Sequence, residues 1–420
     1  MRQQRRGYRS TVSATPPRPL SGIRVLDLTR VLAGPHATRI LCDLGAEVIK
    51  IEPPEGDITR TTVPRPNSVA TYFAQANTGK ECVSIDLETD AGRDLLLGLV
   101  DHADVLVENY RPGVMHRLGI GSDVLRARNP RLIVASVSGY GQTGPWVHRR
   151  AYAPVVGAES GFTKSQGDAR DGQYANDPHS HADVYTAMEC AIAVIAALYQ
   201  REHTALGDRI DVSMAQTMLY VNEHAHDALW EGNVAPGQIR SFRPMDYPVL
   251  TAANGESVVV SGHPAENLTF EFYMRSIGRD DLIGADRFAD TARRLDHLDE
   301  IQATIAAWAR TMPDAQSIED AMAPHRLAVG RLRSVREVCD SEWGSERAAT
   351  VRVSDRGGGT IRLPNSPWRF DGSDVSVRGE PRYRGEDNRT VLSRLLGLDD
   401  ATLDRLEADG VISSRLPRRA

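Results

Sequence analysis

The chain has 420 residues, 41% apolar and 25% charged, enough for a large core and two or three domains, so a disordered chain is excluded. Lys and Arg number 50 against 56 Asp and Glu, a formal charge of −6, which leaves no overall positive field for nucleic acid or an anionic membrane and points to small-molecule chemistry. No apolar run reaches the roughly 18 uninterrupted residues of a membrane span. The longest candidate, Ala187–Tyr199, is broken by Glu189, and a soluble protein is expected. Cys42, Cys82, Cys190 and Cys339 lie far apart with no CxxC pair, which suits a reducing cytoplasm better than a disulfide framework or a zinc knuckle.

Residues 1–19 carry Arg2, Arg5, Arg6, Arg9 and Arg18 and no acid. This has the composition of a transit peptide but no apolar stripe, so a flexible basic tail is expected. From Gly22 β and α patterns alternate: strand Ile23–Leu28, helix Pro35–Gly45, strands Glu47–Ile51 and Cys82–Leu87, helix Asp90–His102, strands Val105–Val107 and Leu132–Val137. Strands that read as continuous apolar runs are buried on both faces, as in a doubly wound α/β fold. Val184–Arg201 is apolar nearly all round and is expected deep in the core, with Asp183 at its N-terminus. Strand Arg209–Val212 and helical Ser213–Glu231 complete a large domain over 20–231. A Gly-, Pro- and Arg-rich linker over 232–248 leads to a small α+β domain over 249–347, with strand Val258–Gly262 and helices Ala265–Ile277, Leu298–Met312 and Ala315–Met322. Residues 348–420 return to the large domain through strands Val351–Val353 and Thr360–Leu363 and helices Asn388–Gly397 and Asp400–Ala408.

Three features could carry chemistry. Gly139-Tyr-Gly141-Gln-Thr-Gly144 follows a strand and formally matches a dinucleotide fingerprint. Pro145, Trp146 and the polar His148-Arg149-Arg150 do not continue as an amphipathic helix, however, so a ligand cradle is the better reading than a dehydrogenase. His179-x-His181-x-Asp183 places three potential ligands on one side of an extended segment, but nothing else has ligand spacing, and no metal is expected. Asp183 heads an apolar helix, where a carboxylate ordinarily caps backbone N–H groups. Helix-end amides would keep it ionised while apolar neighbours desolvate it, which also makes a usable nucleophile.

Taken together, several segments resemble the family III CoA-transferases and the related α-methylacyl-CoA racemases. They are Leu20-Ser-Gly-Ile-Arg-Val-Leu-Asp-Leu, Ala33-Gly-Pro35, Leu44-Gly-Ala-Glu-Val-Ile-Lys-Ile-Glu52, Gly56-Asp57, Val107-Glu-Asn109, Arg111-Pro-Gly113, Ser136-Val-Ser-Gly-Tyr-Gly141, Ala182-Asp183, Ser213-Met214, Gly385-Glu386 and Leu396-Gly-Leu398. The resemblance implies a Rossmann-like large domain with a parallel sheet, a smaller α+β domain, and an interlocked homodimer. It makes Asp183 the nucleophile that carries acyl and CoA groups in turn between an acyl-CoA and a free carboxylic acid, with backbone amides of Gly139 and Gly141 as candidates to hold developing oxyanions. It places contacts to CoA, a substrate rather than a resident cofactor, at Val31, Lys80, Asn109, Tyr110, Arg117 and Arg150. Lys80, Arg117 and Arg150 suit phosphates, and Asn109 and the Tyr110 ring offer a hydrogen bond and a stacking face.

Two departures narrow this picture. Leu32 stands where formyl-CoA transferases have Gln, and Ser261-Gly-His-Pro264 replaces their poly-glycine loop, which argues against oxalate. Where racemases carry a His there is Tyr152, a poor base at neutral pH, and Ala153 stands where many transferases have an acid. The alternatives are a racemase or other CoA-ester isomerase, and a silent acyl-CoA-binding protein in which Asp183 is only a cap.

Overall fold

The computed structural model describes residues 17–170, 172–233 and 242–415. Most of the expected basic tail, and the centre of the expected linker at 234–241, lie outside the described residues. The described residues form two compact units, divided between Ala228 and Leu229 and between Gly344 and Ser345.

The large unit is built on a six-stranded parallel sheet of β1 (Arg24–Asp27), β2 (Glu47–Glu52), β3 (Glu81–Ser84), β4 (Val105–Glu108), β5 (Ile133–Ser138) and β6 (Arg209–Ser213), in the order β3-β2-β1-β4-β5-β6. Every residue of β4 and β5 is buried, as their unbroken apolar runs require of strands covered on both faces. Alternate side chains go to opposite faces. Val25, Val105 and Val107 join one core with Ala37 and Leu41 of α1 (Ala33–Asp43), while Leu26 and Leu106 join another with Leu95, Leu96 and Leu99 of α2 (Asp90–Val100). The strand order reverses between β1 and β4, which opens a crevice at their carboxyl ends.

The long helix α3 spans His181–Thr204 and differs from expectation in two ways. It starts two residues before Asp183, with Ser180 at the N-cap position, so Asp183 is its third residue and not its cap. It is also half-exposed. Ala187, Ala191 and Val194 pack into the core with α1, but Met188, Ile192 and Tyr199 face outward at 47%, 58% and 71% exposure. Apolarity all round therefore marks a second unpartnered face and not a deeper position. By length and composition α3 is apolar enough to cross a membrane, a test that the Glu189 interruption obscured. The expected helix Ser213–Glu231 is broken into α4 (Met214–Tyr220) and a short turn of helix at Ala225–Leu229. The Asn222 side chain accepts the His224 N–H at 3.0 Å, an Asx turn that competes with helix.

The small unit has an antiparallel sheet of β7 (Val249–Thr251), β8 (Ser257–Val260) and β9 (Val329–Arg331). Helices α5 (Asn267–Ser276), α6 (Leu298–Ala309) and α7 (Ala315–Met322) supply Phe270, Ile301, Ile305 and Ile318 to its core. The returning segment adds a hairpin of β10 (Thr350–Ser354) and β11 (Thr360–Pro364), then α8 (Asn388–Leu396) and α9 (Asp400–Ala408). It also covers the outer edge of β3: the side chains of Asp387 and Asn388 accept the Cys82 and Ser84 N–H groups, each at 2.8 Å.

Candidate active site

At the carboxyl ends of β1, β4 and β5 the large unit holds a cavity of about 630 Å³. Its floor is the turn between β1 and α1. Val31 there has φ +69°, a conformation that costs a β-branched residue on the order of 1–3 kcal/mol and persists only where neighbours impose it. They do so on both sides. The Val31 N–H donates to the Asp57 carboxylate at 3.2 and 3.3 Å, and the Asn109 side chain accepts the Arg30 N–H and donates to the Arg30 carbonyl, both at 2.8 Å.

Beneath this turn lies a buried lattice of charges. Lys50 pairs with Asp57 at 3.2 Å and donates to the Thr29 carbonyl at 2.7 Å. Lys80 pairs with Asp27 at 2.9 Å and also donates to the Pro35 carbonyl, Thr38 and Asn77. Burial alone would raise the Asp27 pKa, but Lys80, Lys50 and the Thr29 and Thr38 hydroxyls overcome it and hold the carboxyl well below the usual range.

Asp183 is the opposite case. Its carboxylate accepts the N–H of Ala33, the first residue of α1, so two helix N-termini converge on it. It has no ion-pair partner among the described residues. Burial pushes its pKa up to about 6, and the Ala33 N–H offsets this only in part. Desolvation outweighs the helix-end amides that were expected to keep the group fully ionised.

Val31, Asn109, Tyr110, Gly139, Arg150 and Asp183 all line this cavity. The structure places three other predicted residues elsewhere. Lys80 is interior, with its ammonium spent on four protein oxygens. Arg117 is exposed at the end of a short helix, Val114–Arg117, away from the cavity wall. The Gly141 N–H donates to Ser138 Oγ at 3.0 Å and is not free for an oxyanion; its φ of +90° accounts for the glycine instead. Gly139 is required by packing, since a Cβ there would sit 2.1 Å from that of Ala151.

Three arginines on the cavity wall, Arg30, Arg111 and Arg149, were not among the expected ligands, although Arg111 opens the Arg111-Pro-Gly113 segment. The Arg30 guanidinium lies 5.6 Å from the Tyr110 ring centre, and Arg149 lies over Trp146 at 4.6 Å and Tyr140 at 5.4 Å. For Arg30 and Arg149 the signal in the sequence is position, next to Val31 and Arg150. The histidine motif goes a different way. His181 stacks on Tyr185 and bonds Asp177 through Nδ1, while Asp183 lines the cavity, and no group of three metal-ligating side chains occurs among the described residues.

A lone desolvated carboxylate at one place and four guanidinium groups around the same cavity suit a long polyanionic substrate with one electrophilic carbon. The family model for CoA-transferase family III matches residues 20–388. The chain belongs to this family. As a family III transferase it is similar to an acetyl-CoA:oxalate CoA-transferase of Acetobacter aceti, 36% identical over 369 residues that cover 87% of this chain and 92% of that one. It is 30% identical to a succinyl-CoA–D-citramalate CoA-transferase of Chloroflexus aurantiacus, covering 95% and 100% of the two chains. Among solved structures, a CaiB/BaiF family protein of Brucella suis superposes with a TM-score of 0.78 at 28% identity, over 90% of this chain and 100% of that one. The family III chain described here is thus a CoA-transferase with its cavity at the sheet's switch point.

Proposed function

We propose that the enzyme moves CoA from an acyl-CoA to a free carboxylic acid through covalent intermediates on Asp183. The observation that carries this reading is a cavity-lining carboxylate that is half-buried, without an ion-pair partner among the described residues and held by one backbone N–H. An Asp183 oxygen attacks the thioester carbonyl and expels CoA thiolate, leaving an acyl-aspartyl anhydride. The thiolate then attacks the Asp183 carbonyl and expels the donor acid, giving aspartyl-CoA. The acceptor carboxylate attacks that thioester and again expels thiolate. Thiolate finally attacks the acceptor's own carbonyl, which releases the new acyl-CoA and regenerates the carboxylate. Arg30, Arg111, Arg149 and Arg150 hold the coenzyme's phosphates, with Asn109 and Tyr110 fixing the Arg30 turn. No histidine lines the cavity among the described residues, and its other two carboxylates, Glu55 and Asp57, face Arg30 and Lys50, which disfavours a second base for racemisation.

Hydroxylamine added with an acyl-CoA is expected to convert Asp183 to a hydroxamate, detected as a mass shift on its peptide. Exchange of the substrate's α-proton with no CoA movement would reject the reading. The outward apolar side chains of α3, Met188, Ile192 and Tyr199, support a homodimer, interlocked as the family resemblance implies. Light scattering is expected to give twice the chain mass, and a monomer at micromolar concentration would reject it.

A further inference from the structure

Gly56-Asp57 is one of the segments that resemble family III, and the transferase reading assigns it no role. Resting on that reading, and adding a residue to it, we propose that Asp57 is a positioning residue: its carboxylate holds Val31 in the left-handed region and thereby aims the Ala33 N–H at Asp183. Asp57 borders the cavity, but its side chain is fully buried behind the turn and has donors on both oxygens, so it acts through its neighbours and not on a substrate atom. The Thr59 N–H and hydroxyl donate to Oδ1 at 3.0 and 2.8 Å, the Lys50 ammonium lies 3.2 Å from Oδ2, and the Val31 N–H is shared between the two oxygens. The Asp57 N–H donates to Glu52 at 2.9 Å, and Arg60 Nε holds the same Glu52 oxygen at 2.7 Å. The carboxylate is thus fixed independently of the turn it supports.

The turn does not hold its own shape. Valine is among the costliest residues to place at φ +69°. The N-cap residue of α1 is Leu32, whose side chain has no acceptor, so no local cap fixes the start of the helix. Lys50 supplies a second grip, because the ammonium that pairs with Asp57 also donates to the Thr29 carbonyl at 2.7 Å and ties the beginning of the turn to its middle. Gly34 leaves no slack on the far side, since a Cβ there would lie 2.3 Å from Thr29. Without Asp57, relaxation of Val31 to negative φ is downhill, and it swings the Ala33 N–H, two residues on, away from Asp183. That N–H matters at each step on the Asp183 carbonyl. Attack there puts negative charge on the carbonyl oxygen, and Ala33 is the donor already in place.

Identity exchange tests this without knowledge of the physiological donor: acetyl-, butyryl- and succinyl-CoA are each incubated with their own labelled acid and the full-length enzyme, and the fastest pair is carried forward. Asp57→Asn is expected to lower kcat about tenfold or more, with less than about threefold change in KM for the thioester. It is also expected to move the midpoint of the kcat/KM profile upward from about 6, by about half a pH unit or more. The direction is diagnostic. Removing a negative charge, and leaving Lys50 less neutralised, would by themselves draw the Asp183 pKa down, so an upward move reports the lost N–H. The Tyr72 phenol, held above its ordinary pKa by burial and then by Asp183 and Asp57, stays neutral throughout and adds no titration of its own. In a Val31→Gly background, where a positive φ carries no steric cost, Asp57→Asn is expected to lower kcat by less than about threefold. If Asp57→Asn does not fold, Thr59→Val, which removes the hydroxyl on Oδ1, is expected to lower kcat in the Val31 enzyme and not in the Val31→Gly enzyme. An unchanged kcat, a loss equal in both backgrounds, or a midpoint that stays or falls overturns the proposal. Wild-type enzyme that binds acyl-CoA yet exchanges none of the three acids instead overturns the transferase reading beneath it.

Discussion

Asp27 and Asp183 are both withdrawn from water in the same unit, yet they are driven in opposite directions. Asp27 has Lys80, Lys50 and two hydroxyls, and its carboxyl is held far below the usual range. Asp183 has a single backbone N–H, and its pKa rises to about 6. Asp27 is fully buried and Asp183 half-buried, so depth alone would raise the Asp27 pKa more; partners reverse that order. A buried carboxylate with a full set of counter-charges and donors becomes scaffold, because its lone pairs are spent. One left nearly alone keeps its nucleophilicity, at a cost in stability when ionised. Linkage gives the two groups opposite signs. Asp27 contributes stability that is present above its unfolded pKa and lost as pH falls. Asp183 binds its proton more tightly in the folded state, so stability declines as pH rises from about 4 towards 6.

The largest effect is expected from removing the solitary group. Asp183→Asn should lower transfer by at least about 10³-fold while leaving the Kd for acyl-CoA within a few-fold, and it should raise stability at pH 7 by about 1–3 kcal/mol in urea unfolding. Next comes the attempt to turn the scaffold carboxylate into a lone one. Lys80→Met leaves Asp27 buried without its nearest cation and should destabilise by about 3–5 kcal/mol, with a smaller loss at low pH, where Asp27 can take up a proton. The smallest effect is a titration of the unaltered enzyme. kcat/KM should rise about tenfold per pH unit below 6 and level off above it, because only the ionised Asp183 attacks. A flat profile between pH 5 and 7 would remove the distinction between the two carboxylates.

The sheet was legible because a continuous apolar run of strand length fits few places other than the middle of a covered sheet, and the boundaries of β1, β2, β4 and β5 lie within a residue or two of expectation. β7 and β9 were not legible, being three residues each and defined by their pairing with β8. Asp183 stood out as an acid heading a long apolar helix, where a cap is the ordinary role, and only the family resemblance made it the candidate nucleophile. Its pKa could not be read, since that depends on Ala33 arriving from another helix. Lys80 misled for a related reason. The family resemblance placed it at the coenzyme, where its charge suits a phosphate, and only the tertiary fold brings Asp27, Pro35 and Thr38 to surround it. Arg30 was passed over because an arginine at a strand end carries no pattern of its own.

The covered edge of β3 bears on how the protein is made. Cys82 and Ser84 offer amides that find their acceptors only in Asp387 and Asn388, and the Asp86 N–H donates to the Val411 carbonyl. During synthesis, the first half of the molecule therefore waits with an open strand while some three hundred further residues leave the ribosome. That interval is when neighbouring nascent chains can add to the exposed border, and a product truncated ahead of Asp387 would carry the hazard permanently.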